Sequence, residues 1–225
     1  MKKNHRKIGL FGGTFNPVHL GHLRAAEEIR EVLGFDLVYF IPAYIPPHKE
    51  ASDIISVADR LEMLELATRG NPFFKVSDVE LKRGGQSYTI DTLEYFSSTF
   101  PDIELYFILG TDLFSQIDTW KDYKRLFETS NFAVIIRPGF YEDISSMFPL
   151  ALKDEFRYYK KENGLTTYLH KSSKMLQLVE INGFQVSSSR IRDLIKGCKS
   201  IKYLVPGEVE SYIQAKKLYV KEEHL

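Results

Sequence analysis

The stretch GGTFNPVHLGH, residues 12–22, follows directly on the apolar run IGLF at 8–11 and leads into a segment with leucines and isoleucine at helical spacing. Two adjacent glycines after a strand let the backbone approach a ligand closely and turn its N–H groups toward an anion. A helix opening near Leu20 aims its positive end at the same place. His19 and His22, three residues apart, fall on one side of that first helical turn. The residues alone leave open a tight turn whose histidines make local hydrogen bonds and a cradle for phosphates. A metal site is the poorest reading, because two histidines need a third ligand and no cysteine or carboxylate stands nearby at ligand spacing. The dinucleotide pattern G-x-G-x-x-G is not met either, for want of its third glycine.

Composition narrows the setting. At 225 residues and 44% hydrophobic content the chain can bury one substantial core, so one domain with an elaboration is expected. Lys plus Arg and Asp plus Glu balance at 30 each, which leaves no global field to recruit nucleic acid or an anionic membrane; any anion site must be local. The basic start MKKNHRK is followed by an apolar run too short for a signal peptide, and nothing approaches the roughly 20 apolar residues of a membrane span. Cys198 is the only cysteine, so neither an internal disulfide nor a cysteine-based zinc cluster is available. A soluble cytoplasmic protein is expected; self-association is left open.

Strand-like and helix-like spacing alternate along the chain, the pattern of parallel strands joined by helices. KIGLFG, LVYFIP, FFKVSDVEL, IELYFILG, NFAVIIRPG and MLQLVEI read as strands. LGHLRAAEEIREVLG, SVADRLEMLELATRG with Ser56 as its cap, TIDTLEYFSSTF, SSSRIRDLIKG and PGEVESYIQAKKLY read as helices. Residues 139 to about 174 show no clean period and are expected to be an irregular insertion or short helices without chemistry. The expected fold is a Rossmann-like, doubly wound, mostly parallel α/β sheet over 1–182, closed by C-terminal helices over 183–225. In such folds ligands sit beyond the carboxyl ends of the strands, where strand order reverses.

Three other stretches sit at strand ends or helix starts. Pro42, Pro46 and Pro47 stiffen a loop ending in His48 and Lys49, which can hold a cation over a polyphosphate or be an ordinary surface loop. Ser187, Ser188 and Ser189 open a helix with Arg190 and Arg192 close behind. Capping explains the serines, but cations near a helix start oppose its dipole unless an anion compensates. Asp112, two residues after Gly110 at the end of the clearest buried strand, suits a ribose hydroxyl by analogy with other nucleotide folds. Trp120, the only tryptophan, follows in a loop and suits either the core or stacking on a planar ring.

Residues 12–22 resemble the G-T-F-D-P-x-H-x-G-H signature of the nucleotidyltransferase superfamily, and VSSSRIR at 186–192 resembles its I-S-S-T-x-I-R signature. PPHK, SYTIDTL, GTD, the tryptophan of DTW, RPG and the closing VPGEVESYIQAKKLY are similar to the bacterial nicotinate-nucleotide adenylyltransferases, across essentially the whole chain. That resemblance implies ATP as co-substrate, magnesium, and attack of the mononucleotide 5′-phosphate on the α-phosphorus, giving deamido-NAD and pyrophosphate in NAD biosynthesis. It puts His19, His22, Lys49 and Arg192 in charge of the triphosphate. It adds Gly12, Gly13, Thr14, Phe15, Ser188, Ser189, Gly110 and Asp112 as ATP contacts, and Tyr88, Thr89 and Trp120 as contacts of nicotinate mononucleotide, with no protein metal ligand. Because the attacking phosphate is already an anion, alignment and charge neutralisation carry the chemistry, which suits a chain with no Ser-His-Asp arrangement or paired acids.

Two positions depart from the signature: Asn16 replaces its aspartate and Ser189 its threonine. The alternatives are an adenylyltransferase for phosphopantetheine or for the amide mononucleotide, and a non-catalytic nucleotide-binding regulator on the same fold.

Overall fold

The computed structural model of the protein describes residues 6–47, 54–136 and 148–220. The first half runs β1 (Lys7–Gly13), α1 (Leu20–Leu33), β2 (Leu37–Pro42), α2 (Val57–Thr68), β3 (Phe74–Val76), α3 (Val79–Arg83), α4 (Thr89–Thr99) and β4 (Glu104–Gly110). Then come α5 (Thr111–Phe114), α6 (Tyr123–Thr129), β5 (Asn131–Ile136), β6 (Phe156–Glu162), β7 (Leu165–His170), β8 (Met175–Glu180), α7 (Ser188–Lys196) and α8 (Gly207–Ala215).

The eight strands form one sheet in the order β3-β2-β1-β4-β5-β8-β7-β6. Strands β1 to β5 and β8 pair in parallel, while β7 and β6 are added antiparallel at one edge. The chain winds outward from β1 to β3, then returns to lay β4 on the other side of β1. The order therefore reverses between β1 and β4, and both strands end in glycine, at Gly13 and Gly110. A doubly wound sheet leaves a crevice at that place, because the crossovers on either side depart in opposite directions.

Side-chain alternation accounts for the two apolar layers. Ile8, Leu10, Leu105, Phe107, Leu109, Phe132 and Val134 meet Ile90, Leu93 and Phe96 of α4 and Leu126 and Phe127 of α6 on one face. Phe11, Val38, Phe40, Tyr106, Ile108, Ala133 and Ile135 meet α1 through Ala26 and Ile29, and α2 through Met63 and Leu64. Ile191 of α7 and Val209 and Ile213 of α8 join that second layer, so the C-terminal helices lie on the α1 and α2 side of the sheet, with α8 against α2. Helix α1 stops where expected, at Gly34 in the left-handed region (φ 67). Ser56 caps α2 by accepting a hydrogen bond from Asp59 N at 3.0 Å.

Two expectations are corrected. The segment from Phe73 is a strand only over Phe74–Val76, after which Val79–Arg83 turns into a short helix that buries Val79 and Glu80. Its alternating pattern is equally that of a three-residue edge strand followed by one and a half helical turns. In the described part of 139–174 a single 3₁₀ turn at Leu150–Leu152 fits the expected short helices, but β6 and β7 do not: they form a hairpin whose turn is Asn163-Gly164, with φ 47 and 75. Asn-Gly between β-formers is the strongest short hairpin signal, because both residues tolerate positive φ. It was present in the sequence but masked by β6 being almost wholly exposed, which removes the apolar alternation that marks a strand.

Gly9 marks how tightly β1 is held. A methyl group there would come within 2.7 Å of Ile108 Cδ1 and 2.8 Å of the Phe35 ring. Gly9→Ala is expected to lose about 1–3 kcal/mol by overpacking. It would be read as a lower denaturant midpoint with an unchanged m-value.

Candidate active site

Residues 12–19 leave β1, cross the crevice and enter α1. Phe15 takes a positive φ of 48, uncommon for a side-chain-bearing residue. Its ring packs at 5.8 Å from Phe11, 5.8 Å from Phe40 and 5.1 Å from His22, which holds the turn. The same ring lies 3.0 Å from where a Cβ on Gly13 would stand, so a side chain there would push the Phe15 ring back by a few tenths of an ångström.

His19 is the N-cap of α1. His19 Nδ1 accepts from His22 N and His22 Nδ1 accepts from His19 N, each at 3.3 Å, a reciprocal capping box built from two imidazoles. The rings stack with centroids 3.6 Å apart and an interplanar angle of 22°. An Nδ1 that accepts is unprotonated, so in each neutral ring the proton belongs on Nε2. Local hydrogen bonding and a charge-directed role are therefore not rivals: the first uses Nδ1 and defines Nε2 as the donor.

The second motif comes to the first. Ser188 Oγ donates to the Pro17 carbonyl at 2.8 Å, and Arg192 Nη1 donates to the Asn16 carbonyl at 3.0 Å. Arg192 Nη2 reaches Ser189 Oγ at 3.4 Å, and Ser187 caps α7 by accepting from Arg190 N. Helices α1 and α7 both begin beside Asn16-Pro17, and neither has an acidic residue in its first turn. Two positive helix ends and a guanidinium converge on one loop, an arrangement that favours bound anions. Gly21 permits the approach, since a methyl there would meet Val186 Cγ1 at 2.9 Å and the Phe184 carbonyl at 3.1 Å.

Asn16 is 4% exposed. Its Oδ1 accepts from the Tyr219 hydroxyl at 3.0 Å and from Ile55 N at 3.4 Å. Burial pushes the Tyr219 phenol well above its usual range despite the opposing pull of Arg192 and Arg60, so it stays a neutral donor. The departure from the aspartate of the signature is thus accommodated by a carboxamide oxygen with two donors.

Asp112 is exposed in the first turn of α5, with its carboxylate folded back over the end of β4. A methyl on Gly110 would lie 2.5 Å from Asp112 Oδ1, the free end of an exposed side chain that can swing aside. Trp120 is half-buried, edge-on to Phe107 at 6.2 Å. The next residue, Lys121, places Nζ 4.6 Å over the Tyr88 ring and 3.2 Å from Asp91 Oδ1, which ties the segment after Trp120 to the start of α4. Helix α4 has no side-chain cap hydrogen bond at its N-terminus. Ser87 ties this region to the loop after β2, its Oγ accepting from Tyr44 N at 2.8 Å. His48 and Lys49 lie outside the described residues.

Sequence reading missed Arg60, Tyr219 and Gly21. Arg60 was one charged residue on an amphipathic helix, Tyr219 sat in the tail, and Gly21 was hidden within a motif noted for its histidines. Among the described residues no group of three or more His, Cys, Asp or Glu side chains could hold a metal ion.

A model of the cytidylyltransferase-like family matches residues 10–194. A protein of Geotalea daltonii described as a probable nicotinate-nucleotide adenylyltransferase is 42% identical over 214 residues, 95% of this chain and 98% of its own length. The chain belongs to the nicotinate-nucleotide adenylyltransferase family. A second member, from Geobacter sp. (strain M21) and described in the same words, is 44% identical over 95% of this chain and 98% of its own. Among solved structures, the nicotinic acid mononucleotide adenylyltransferase of Plasmodium falciparum complexed with NaAD superposes with a TM-score of 0.73 at 20% identity, covering 96% of this chain and 98% of that one. At that identity the likeness establishes the fold of the family, a mostly parallel Rossmann-like sheet. Family membership makes the chain a nucleotidyltransferase and ATP its co-substrate.

Replacing Asn16 by leucine strands the Tyr219 hydroxyl and Ile55 N–H, each worth ~1–3 kcal/mol when buried unsatisfied. Thermal unfolding is expected to show that loss for Asn16→Leu and little change for Asn16→Asp, which keeps Oδ1.

Proposed function

We propose that the chain transfers AMP from ATP to nicotinate mononucleotide, forming deamido-NAD and releasing pyrophosphate. The observation that carries this reading is the convergence of two helix N-termini, a stacked histidine pair and Arg192 on the loop 12–19 at the switch point of the sheet. Kinship over 95% of the chain supports the choice of acceptor.

In this proposal a 5′-phosphate oxygen of the mononucleotide attacks the α-phosphorus in line, the bond to the bridging β-oxygen breaks, and pyrophosphate departs with that electron pair. His19 and His22 direct Nε2–H toward the charge that builds at the α-phosphate. Gly12, Gly13, Thr14 and Phe15 supply backbone and hydroxyl donors to the same oxygens. Lys49, Ser188, Ser189 and Arg192 hold the β- and γ-phosphates and stabilise the leaving pyrophosphate. Gly110 lets the ATP backbone pass close to β4, and Asp112 accepts from a ribose hydroxyl. Trp120 stacks on the pyridine ring beside Tyr88 and Thr89, where the uncapped start of α4 can donate to the ring carboxylate. Magnesium bound with ATP would supply neutralisation of triphosphate charge beside Arg192 and Lys49. No helix among the described residues is long and apolar enough to cross a membrane, and a cytoplasmic reaction is proposed.

Purified protein with ATP, magnesium and nicotinate mononucleotide is expected to release pyrophosphate, faster than with the amide mononucleotide or phosphopantetheine. Turnover only with another acceptor would overturn the assignment. His22→Ala is expected to lower kcat by about 100-fold or more with the fold intact by circular dichroism. Trp120→Ala is expected to raise KM for the mononucleotide about tenfold, with KM for ATP little changed; the stacking role fails if only the ATP term moves.

A further inference from the structure

Arg60 is the largest of the fully buried side chains and only 1% exposed. An ionised group so placed is costly unless every donor direction is met. Here the acceptors are three main-chain carbonyls. Nη1 donates to Thr14 at 2.8 Å, Nη2 to Tyr44 at 3.3 Å and Nε to Ile55 at 3.3 Å. Thr14 belongs to the loop between β1 and α1. Tyr44 and Ile55 lie in the loop between β2 and α2, and in sequence they bracket the stretch containing Lys49.

The core does not require a cation at this position. Helix α2 meets the sheet through Met63 and Leu64, and an apolar side chain at 60 would fill the same space without the desolvation cost. What the planar guanidinium supplies is a rigid fork with donors in three directions, which a lysine ammonium on a flexible stem cannot reproduce at these separations. In a trans peptide the C=O and N–H point in opposite directions. Drawing the Thr14 carbonyl inward therefore turns the Phe15 N–H to the side away from Arg60, and helps hold Phe15 at its positive φ of 48. A flip of that peptide would present a carbonyl dipole where an anion needs a donor.

We propose that Arg60 is a positioning residue for adenylyl transfer. It locks the Thr14–Phe15 peptide and sets the loop after β1 against both flanks of the loop after β2, without touching substrate. The inference rests on residues 12–22 being the phosphate site.

The test compares Arg60→Lys, Arg60→Met and Arg60→Ala with the unaltered protein and with His22→Ala. Pyrophosphate release is measured with ATP and nicotinate mononucleotide, at a temperature where circular dichroism shows each variant folded. A positioning role predicts that kcat falls about 30-fold or more in the Lys and Met variants while both KM values move less than about threefold. Millimolar guanidinium is expected to restore about tenfold in Arg60→Ala, whose cavity admits it, and nothing in Arg60→Met. The proposal is overturned if folded Arg60→Lys keeps the original kcat, or if guanidinium raises the melting temperature of Arg60→Ala without raising kcat. Should Arg60→Met not fold, the lysine variant and the rescue decide. Unimpaired turnover in His22→Ala would instead overturn the phosphate-site reading itself.

Discussion

Two hydrogen bonds to main-chain carbonyls, from Ser188 to Pro17 and from Arg192 to Asn16, join segments 171 and 176 residues apart. The rest of the site depends on that join. It brings the starts of α1 and α7 to one loop, so that two helix dipoles reinforce each other instead of ending in unrelated places. Gly21 makes the approach sterically possible. The sheet supplies the remaining constraint, because β1 and β4 end side by side only where the winding reverses.

Backbone carbonyls recur as acceptors around this site. Ser188, Arg192 and Arg60 all donate to them, and the Asn16 carboxamide accepts from a phenol and a main-chain N–H. Carbonyl acceptors carry no net charge, so these hydrogen bonds hold the arginines without neutralising them, although Glu80 lies near enough to Arg60 to favour its charged form. The same bonds fix peptide orientation, which decides whether a loop presents N–H or C=O to a ligand. Asp59 shows the complementary device on the outer side of α2. Hydrogen bonds from Ser56 and Tyr212 hold its carboxyl below the usual range, and burial with that bond pushes the Tyr212 phenol up to about 12. This second tie fastens α8 to α2, and the Tyr219 hydroxyl fastens the following segment to Asn16.

Most of the sheet was legible because buried parallel strands such as IELYFILG are apolar on both faces, and because the helices end at residues with specific backbone chemistry, as Gly34 does. The hairpin of β6 and β7 was not, since an exposed edge strand carries no apolar period and only Asn163-Gly164 announced it. Among site residues, glycines, histidines and serine-arginine runs stood out by type and spacing. Arg60 and Tyr219 did not, because their roles lie in contacts 46 and 203 residues away along the chain.

By itself the sequence determined the chemistry available: an anion-suited loop after the first strand, a second such motif near the end, and a layered α/β sheet to carry them. Periodicity and turn chemistry are local, so a single chain displays them. Only the tertiary structure decided that the two motifs share one site, that paired Nδ1 acceptors define the donor atoms of His19 and His22, and that a buried arginine holds the loops together. Those are matters of distance between residues far apart in the chain and of peptide direction, and neither is written in spacing or composition.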